Sequence, residues 1–228
     1  MSLSTSENAG SSKIQLLTPE TFHGDEITAK SGETWLGLFE ESSRYFLRPA
    51  KIRVRLVKDE VADEDGQTTA KQISVISQKQ PILLLKNAAM LKAGIVTTLF
   101  YNAPEESETA GKTFDRSLKN DYESSFKLRE NTYTLKVTNK KSKNKELSAG
   151  STVTLALNGK TQILYAPKQT GESWYLYWAG DLDGDGKLDL LMDLNDHYNV
   201  THLRLFLSSE AQKQQLVKEV ASLRTTGC

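Results

Sequence analysis

Trp174-Tyr-Leu-Tyr-Trp-Ala-Gly-Asp-Leu-Asp-Gly-Asp-Gly-Lys-Leu-Asp-Leu-Leu-Met-Asp-Leu194 decides how this chain is read. Its first five residues are aromatic or branched and favour a pleated, half-buried strand. Alternation places Trp174, Leu176 and Trp178 on one face and Tyr175 and Tyr177 on the other. The aromatic and aliphatic set is expected in the core, which leaves the two tyrosines as surface candidates. After the glycines, Leu188, Leu190, Met192 and Leu194 recur at period two, again the spacing of a strand. The stretch therefore predicts strand, tight acidic turn, strand.

The turn carries chemistry of its own. Asp181, Asp183, Asp185 and Asp189 occupy its first, third, fifth and ninth positions. Gly184 and Gly186 let the backbone bend enough to aim these side chains at one point. Two like charges about 4 Å apart repel by roughly 1 kcal/mol in water, and by about 4 at an effective dielectric near 20. A cation relieves that repulsion. An all-oxygen set without His or Cys selects a hard ion, Ca²⁺ above zinc or copper. An EF-hand would require a bidentate Glu at the twelfth position, which here is Met192.

The segment Ala179–Leu191 resembles the calcium-binding β-hairpin loop of FG-GAP repeats, found in integrin α-subunit propellers and many exported bacterial proteins. The resemblance implies side-chain ligands at Asp181, Asp183, Asp185 and Asp189, together with the backbone carbonyl of Lys187. One segment of the sequence carries this resemblance, where a propeller would need several.

Strand signals continue through the rest of the chain. Thr34–Phe39 and Arg44–Leu47 flank Glu40–Ser43 as a hairpin, and Lys51–Val57 alternates basic and apolar residues. Lys71–Ile76, Ile82–Leu85, Ile95–Tyr101, Thr132–Val137, Thr152–Leu157, Thr161–Tyr165 and Asn199–Leu207 are further strands. Ala88–Lys92 is expected as one helical turn. Ser209–Gln212 fits a capping box, which predicts a short helical turn before a final strand with Val217, Ala221 and Leu223 on one face. The acidic run Asp59–Gly66 and the basic run Asn139–Lys145 read as solvated loops. The expected fold class is all-β: an antiparallel β-sandwich or barrel-like sheets with a calcium-binding hairpin loop and little helix. Ala103–Gly111 is acidic and bounded by Pro and Gly, a linker signature. The expected organisation is a disordered tail over 1–13, an N-terminal β domain over 14–102 and a C-terminal β domain over 112–228.

Charge narrows the function classes. Its 29 basic and 29 acidic residues balance, which removes the electrostatic case for a nucleic-acid partner. No apolar run has the length of a transmembrane helix. Cys228 is the single cysteine, so no intrachain disulfide forms, and it is expected as an unreactive tail. Weak calcium loops suit calcium-rich compartments, so a periplasmic or extracellular location is expected, with any leader already removed. No zinc-protease, nucleophile-elbow, P-loop or dinucleotide motif is present, so no catalytic residue is assigned. The expected role is binding or scaffolding around a structural Ca²⁺, with a protein or carbohydrate partner. A carbohydrate-binding module using Tyr175 and Tyr177 is the first alternative, and a hydrolase with a site assembled only by the fold is the second.

Overall fold

A computed structural model describes residues 13–77, 79–102, 117–142, 144–171 and 173–226. In chain order the strands are β1 (Gln15–Leu17), β2 (Thr21–Phe22), β3 (Thr34–Glu41), β4 (Arg44–Val57), β5 (Ala70–Val75), β6 (Leu83–Lys86), β7 (Gly94–Tyr101) and β8 (Ser117–Leu118). They continue as β9 (Glu123–Leu128), β10 (Asn131–Asn139), β11 (Ser151–Leu157), β12 (Lys160–Tyr165), β13 (Trp174–Asp181), β14 (Asp189–Asp193), β15 (Val200–Leu207) and β16 (Lys218–Thr226). The protein is all-β, as its alternation predicts, and the described residues contain no helix. No helix among them is long and apolar enough to cross a membrane.

Two antiparallel sheets form. The larger runs β1-β6-β3-β4-β7-β13-β14-β15-β16, with β2, β5 and β8 attached at its sides, and it curls until β1 and β16 approach. It is a nearly closed, barrel-like sheet. The smaller is the meander β12-β11-β10-β9. The expected linker falls within 103–116, outside the described residues, as do Cys228 and the first twelve residues of the tail. The large sheet itself runs across that division, because β7 pairs with β13 from Trp178↔Tyr101 to Asp181↔Thr97.

Several local expectations change in the folded chain. Arg44–Leu47 and Lys51–Val57 are one continuous strand, β4. Tyr45–Leu47 bond to β7 and Ile52–Val57 bond to β5, so Pro49 falls at the changeover, where the second edge of β4 has no ladder partner. The hairpin before it turns on Ser42 and Ser43 alone, both at positive φ, while Glu40 and Glu41 stay in β3. Ala88–Lys92 makes a single turn closed by Leu91 N–H to Ala88 O at 3.0 Å, with no helix. Ser209–Gln212 likewise makes turns, and the predicted final strand follows as β16, with Val217, Ala221 and Leu223 buried.

Packing explains why β13 and β14 are apolar on both sides. One core gathers residues such as Trp35, Leu38, Leu47, Ile52, Leu85 and Trp178 from the large sheet. A second core lies where β13–β15 meet the small sheet, with Trp174, Leu190 and Met192 against Tyr133, Leu135 and Val153. The expected sharing of one face by Trp174, Leu176 and Trp178 fails at Tyr177. A bulge there pairs Leu176 with Met192 but Trp178 with Leu191, so all three side chains are buried, yet Trp178 enters the other core. Tyr177 packs against that same core and is only part-exposed.

Candidate metal centre

The acidic turn spans 182–188, held between the last residue of β13 and the first of β14. Gly180 pairs with Asp189 at the base of the hairpin, which brings Asp181 and Asp189 together. Gly184 and Gly186 sit at φ of 78° and 83°, the left-handed region where a side chain is disfavoured. The turn thus folds back on itself and points its carboxylates inward.

Asp181, Asp183 and Asp189 converge. One oxygen from each lies within 4.8 Å of the others. Asp189 is fully buried; its Oδ2 accepts Leu182 N–H at 2.7 Å and its Oδ1 accepts Ser208 N–H at 2.8 Å. Asp181 is 7% exposed, and its Oδ2 accepts Gly186 N–H at 3.0 Å. Its Oδ1 is buried with no hydrogen-bond partner. Asp183 is half-buried and accepts Asp185 N–H at 3.1 Å through Oδ1, with the Ser209 hydroxyl on Oδ2.

Electrostatics follow from this crowding. Burial, with the charge of Asp183 added, pushes the Asp189 carboxyl up to about 8. Burial also raises Asp181, with Asp183 and Asp185 contributing. Buried carboxylates that repel one another and leave an oxygen orphaned fit a cation, which supplies the missing partner and cancels the repulsion. These residues can therefore hold a metal ion.

The other expected ligands stand differently. Asp185 lies outside the converging trio. Its Oδ1 accepts Lys187 N–H at 2.8 Å and lies 3.0 Å from Ser208 Oγ, while its Oδ2 meets Lys187 Nζ at 3.0 Å. Lys187 is an exposed residue of the turn. Asp193, the next acid along β14, accepts His202 N–H at 2.8 Å and faces Asn195 Nδ2 at 3.4 Å, away from the trio.

Sequence reasoning missed Ser208 and Ser209. The Ser208 hydroxyl lies 2.9 Å from Asp189 Oδ1 and also reaches Asp185, so the end of β15 closes the wall of the site. Ser209 fits a helix cap by its neighbours, but its hydroxyl serves Asp183. No local signal marks either residue, because the contacts span 19 and 26 positions of sequence.

The second acidic run is built otherwise. Asp59 is buried and accepts Val61 and Ala62 N–H at 3.1 Å each, with His23 Nδ1 beside it. Asp63 accepts Asp59 and Thr69 N–H at 2.8 and 2.7 Å. These carboxylates order their own loop. No family model, curated protein or solved structure matches this chain.

Proposed function

We propose that this chain is an exported, calcium-binding β-protein whose Ca²⁺ is structural and whose role is binding or scaffolding. The observation that carries the reading is the orphaned, buried Oδ1 of Asp181, a carboxyl with one oxygen within 4.8 Å of oxygens of Asp183 and Asp189. The three converging groups among the described residues are all carboxylates, the preference of Ca²⁺, and a flexible glycine turn suits its variable coordination better than the strict octahedron of Mg²⁺. Asp185 and the carbonyl of Lys187 complete the proposed set, as the resemblance to FG-GAP loops implies. A calcium-rich compartment, periplasmic or extracellular, matches a loop of this kind.

Two observations among the described residues bear on the alternatives. Tyr175 and Tyr177 stack edge to face with centroids 6.5 Å apart, and Tyr177 is turned into the core, so they do not form an open sugar platform. Two shallow concavities near β1 and β3, of about 360 and 640 Å³, carry one carboxylate between them, Glu26. Neither of these two concavities therefore offers the acid pair that a glycosidase-type hydrolase uses.

A ligand that binds only the folded state adds about 2.7 kcal/mol at a hundredfold excess over Kd. For a chain of this size each kcal/mol moves Tm by roughly 2–4 °C. Saturating Ca²⁺ added after chelation is therefore expected to raise Tm by roughly 5–10 °C, with Mg²⁺ much less effective. Superimposable melts in chelator and in Ca²⁺ would overturn the proposal.

A further inference from the structure

Six described non-glycine residues adopt positive φ: Ser42, Ser43, Asn87, Asp121, Arg129 and Asn158. Five have short polar side chains, which suit turns or bond to nearby backbone. Arg129, at φ 53°, is the exception. It opens the two-residue turn that joins β9 to β10, at the tip of the small sheet, where Gly, Asn or Asp is the usual choice. A long cationic side chain in a strained turn position points to a use for that side chain.

Its guanidinium lies against the acidic turn. A Cβ added to Gly186 would sit 2.3 Å from Arg129 Nη1, 2.4 Å from Cζ and 2.8 Å from Nη2. The group thus covers the open Cα face of Gly186, and a side chain there would have to push it aside. Arg129 is exposed and makes no ion pair within 4 Å among the described residues; its guanidinium rests on Gly186, between Asp185 and Lys187 of the turn. The loop sequence carries four acids and one base, Lys187, which is already paired with Asp185.

We infer that Arg129 is the resident counter-charge of the acidic loop: it fastens the tip of the small sheet to the loop and lowers the loop's affinity for a cation. The second half rests on the calcium reading above; the first half does not. A positive charge beside a loop offsets part of its self-repulsion when no ion is bound, and opposes an incoming divalent ion. Arg129 therefore acts as a positioning residue that sets the calcium concentration at which the loop fills. It also links filling of the loop to the seating of the small sheet, because this side chain of the small sheet rests on the loop.

The test uses the full chain and Ca²⁺ alone as probe. By calorimetry at low salt, Arg129→Gln is expected to bind Ca²⁺ roughly three- to tenfold more tightly than the parent. The gap should close at about 1 M salt, where the Debye length falls to about 3 Å. Arg129→Lys, which keeps the charge, should stay near the parent value; a packing role alone would not follow charge and salt in this way. In chelator at low salt, Arg129→Gln should melt below the parent and Arg129→Lys close to it. Equal affinities for Arg129→Gln and the parent at low salt would overturn the tuning role. If the parent itself takes up no Ca²⁺, the calcium reading fails, and the chelator melts still decide the fastening role: identical melts for Arg129→Gln and the parent reject it.

Discussion

Asp193 and Asp189 show how burial and partners separate two acids four positions apart. Asp193 is almost fully buried, and burial pushes its carboxyl up to about 6 in spite of the His202 N–H it accepts. A carboxyl holding its proton more tightly when folded stabilises the fold at low pH. That contribution is lost as pH rises from the unfolded value near 4 through about 6. Above that range the buried charge costs on the order of 2 kcal/mol. Asp193→Asn keeps an acceptor for His202 and removes the charge. Melts in chelator are expected to show the variant gaining on the parent by roughly 4–8 °C between pH 4 and pH 8. A difference in Tm that stays flat with pH would contradict the buried charge. The same variant should leave calcium affinity unchanged. Asp189→Asn should weaken it at least tenfold, and by more than Asp185→Ala, because Asp185 stands outside the trio. The sequence reading named Asp181, Asp183, Asp185, Asp189 and the Lys187 carbonyl, and the three acids that converge were within its reach because their spacing is local; it did not set Asp185 apart. Ser208, Ser209 and Arg129 were not legible in it, since a residue's sequence neighbours do not say which distant turn it will touch.

At the scale of elements, β13 and β14 show what alternation reveals and where it stops. Period two identified both strands and the burial of Trp174, Leu176 and Trp178. It could not place the bulge at Tyr177, because register there is set by two cores pulling on opposite faces of one hairpin. Gly180 belongs to the same problem. Its φ is ordinary, so no turn demands glycine, yet a Cβ would lie 2.2 Å from the Thr97 carbonyl and 2.6 Å from the Trp178 ring. A neighbouring strand cannot yield that far, so Gly180→Ala should cost about 3 kcal/mol and lower Tm by roughly 6–12 °C. Gly184→Ala meets open space and is opposed only by its φ of 78°. It should cost about 1 kcal/mol. Thermal melts of the two variants compare crowding with backbone strain, and equal losses would contradict the close approach of β7 to β13.

For the whole molecule, strand count and patterning predicted an antiparallel sandwich or barrel-like sheets, while the connection of the two halves came only from long-range pairing. The chain on either side of 103–111 reads as two β domains, each with enough apolar residues for a core. Yet β7 lies beside β13 in one ladder, and β13 and β14 contribute to both cores, so neither half completes its packing alone. Cutting the chain between them removes one covalent link and none of these contacts. A protease site inserted within 103–111 and cleaved under native conditions should therefore give fragments that still elute together and melt in one transition. Separation after urea and failure to regain the native spectrum singly would follow, because each fragment alone exposes a buried strand edge and an apolar face. Two fragments that separate without denaturant and remain folded would show that the pairing of β7 with β13 contributes little, and that the halves are independent domains after all.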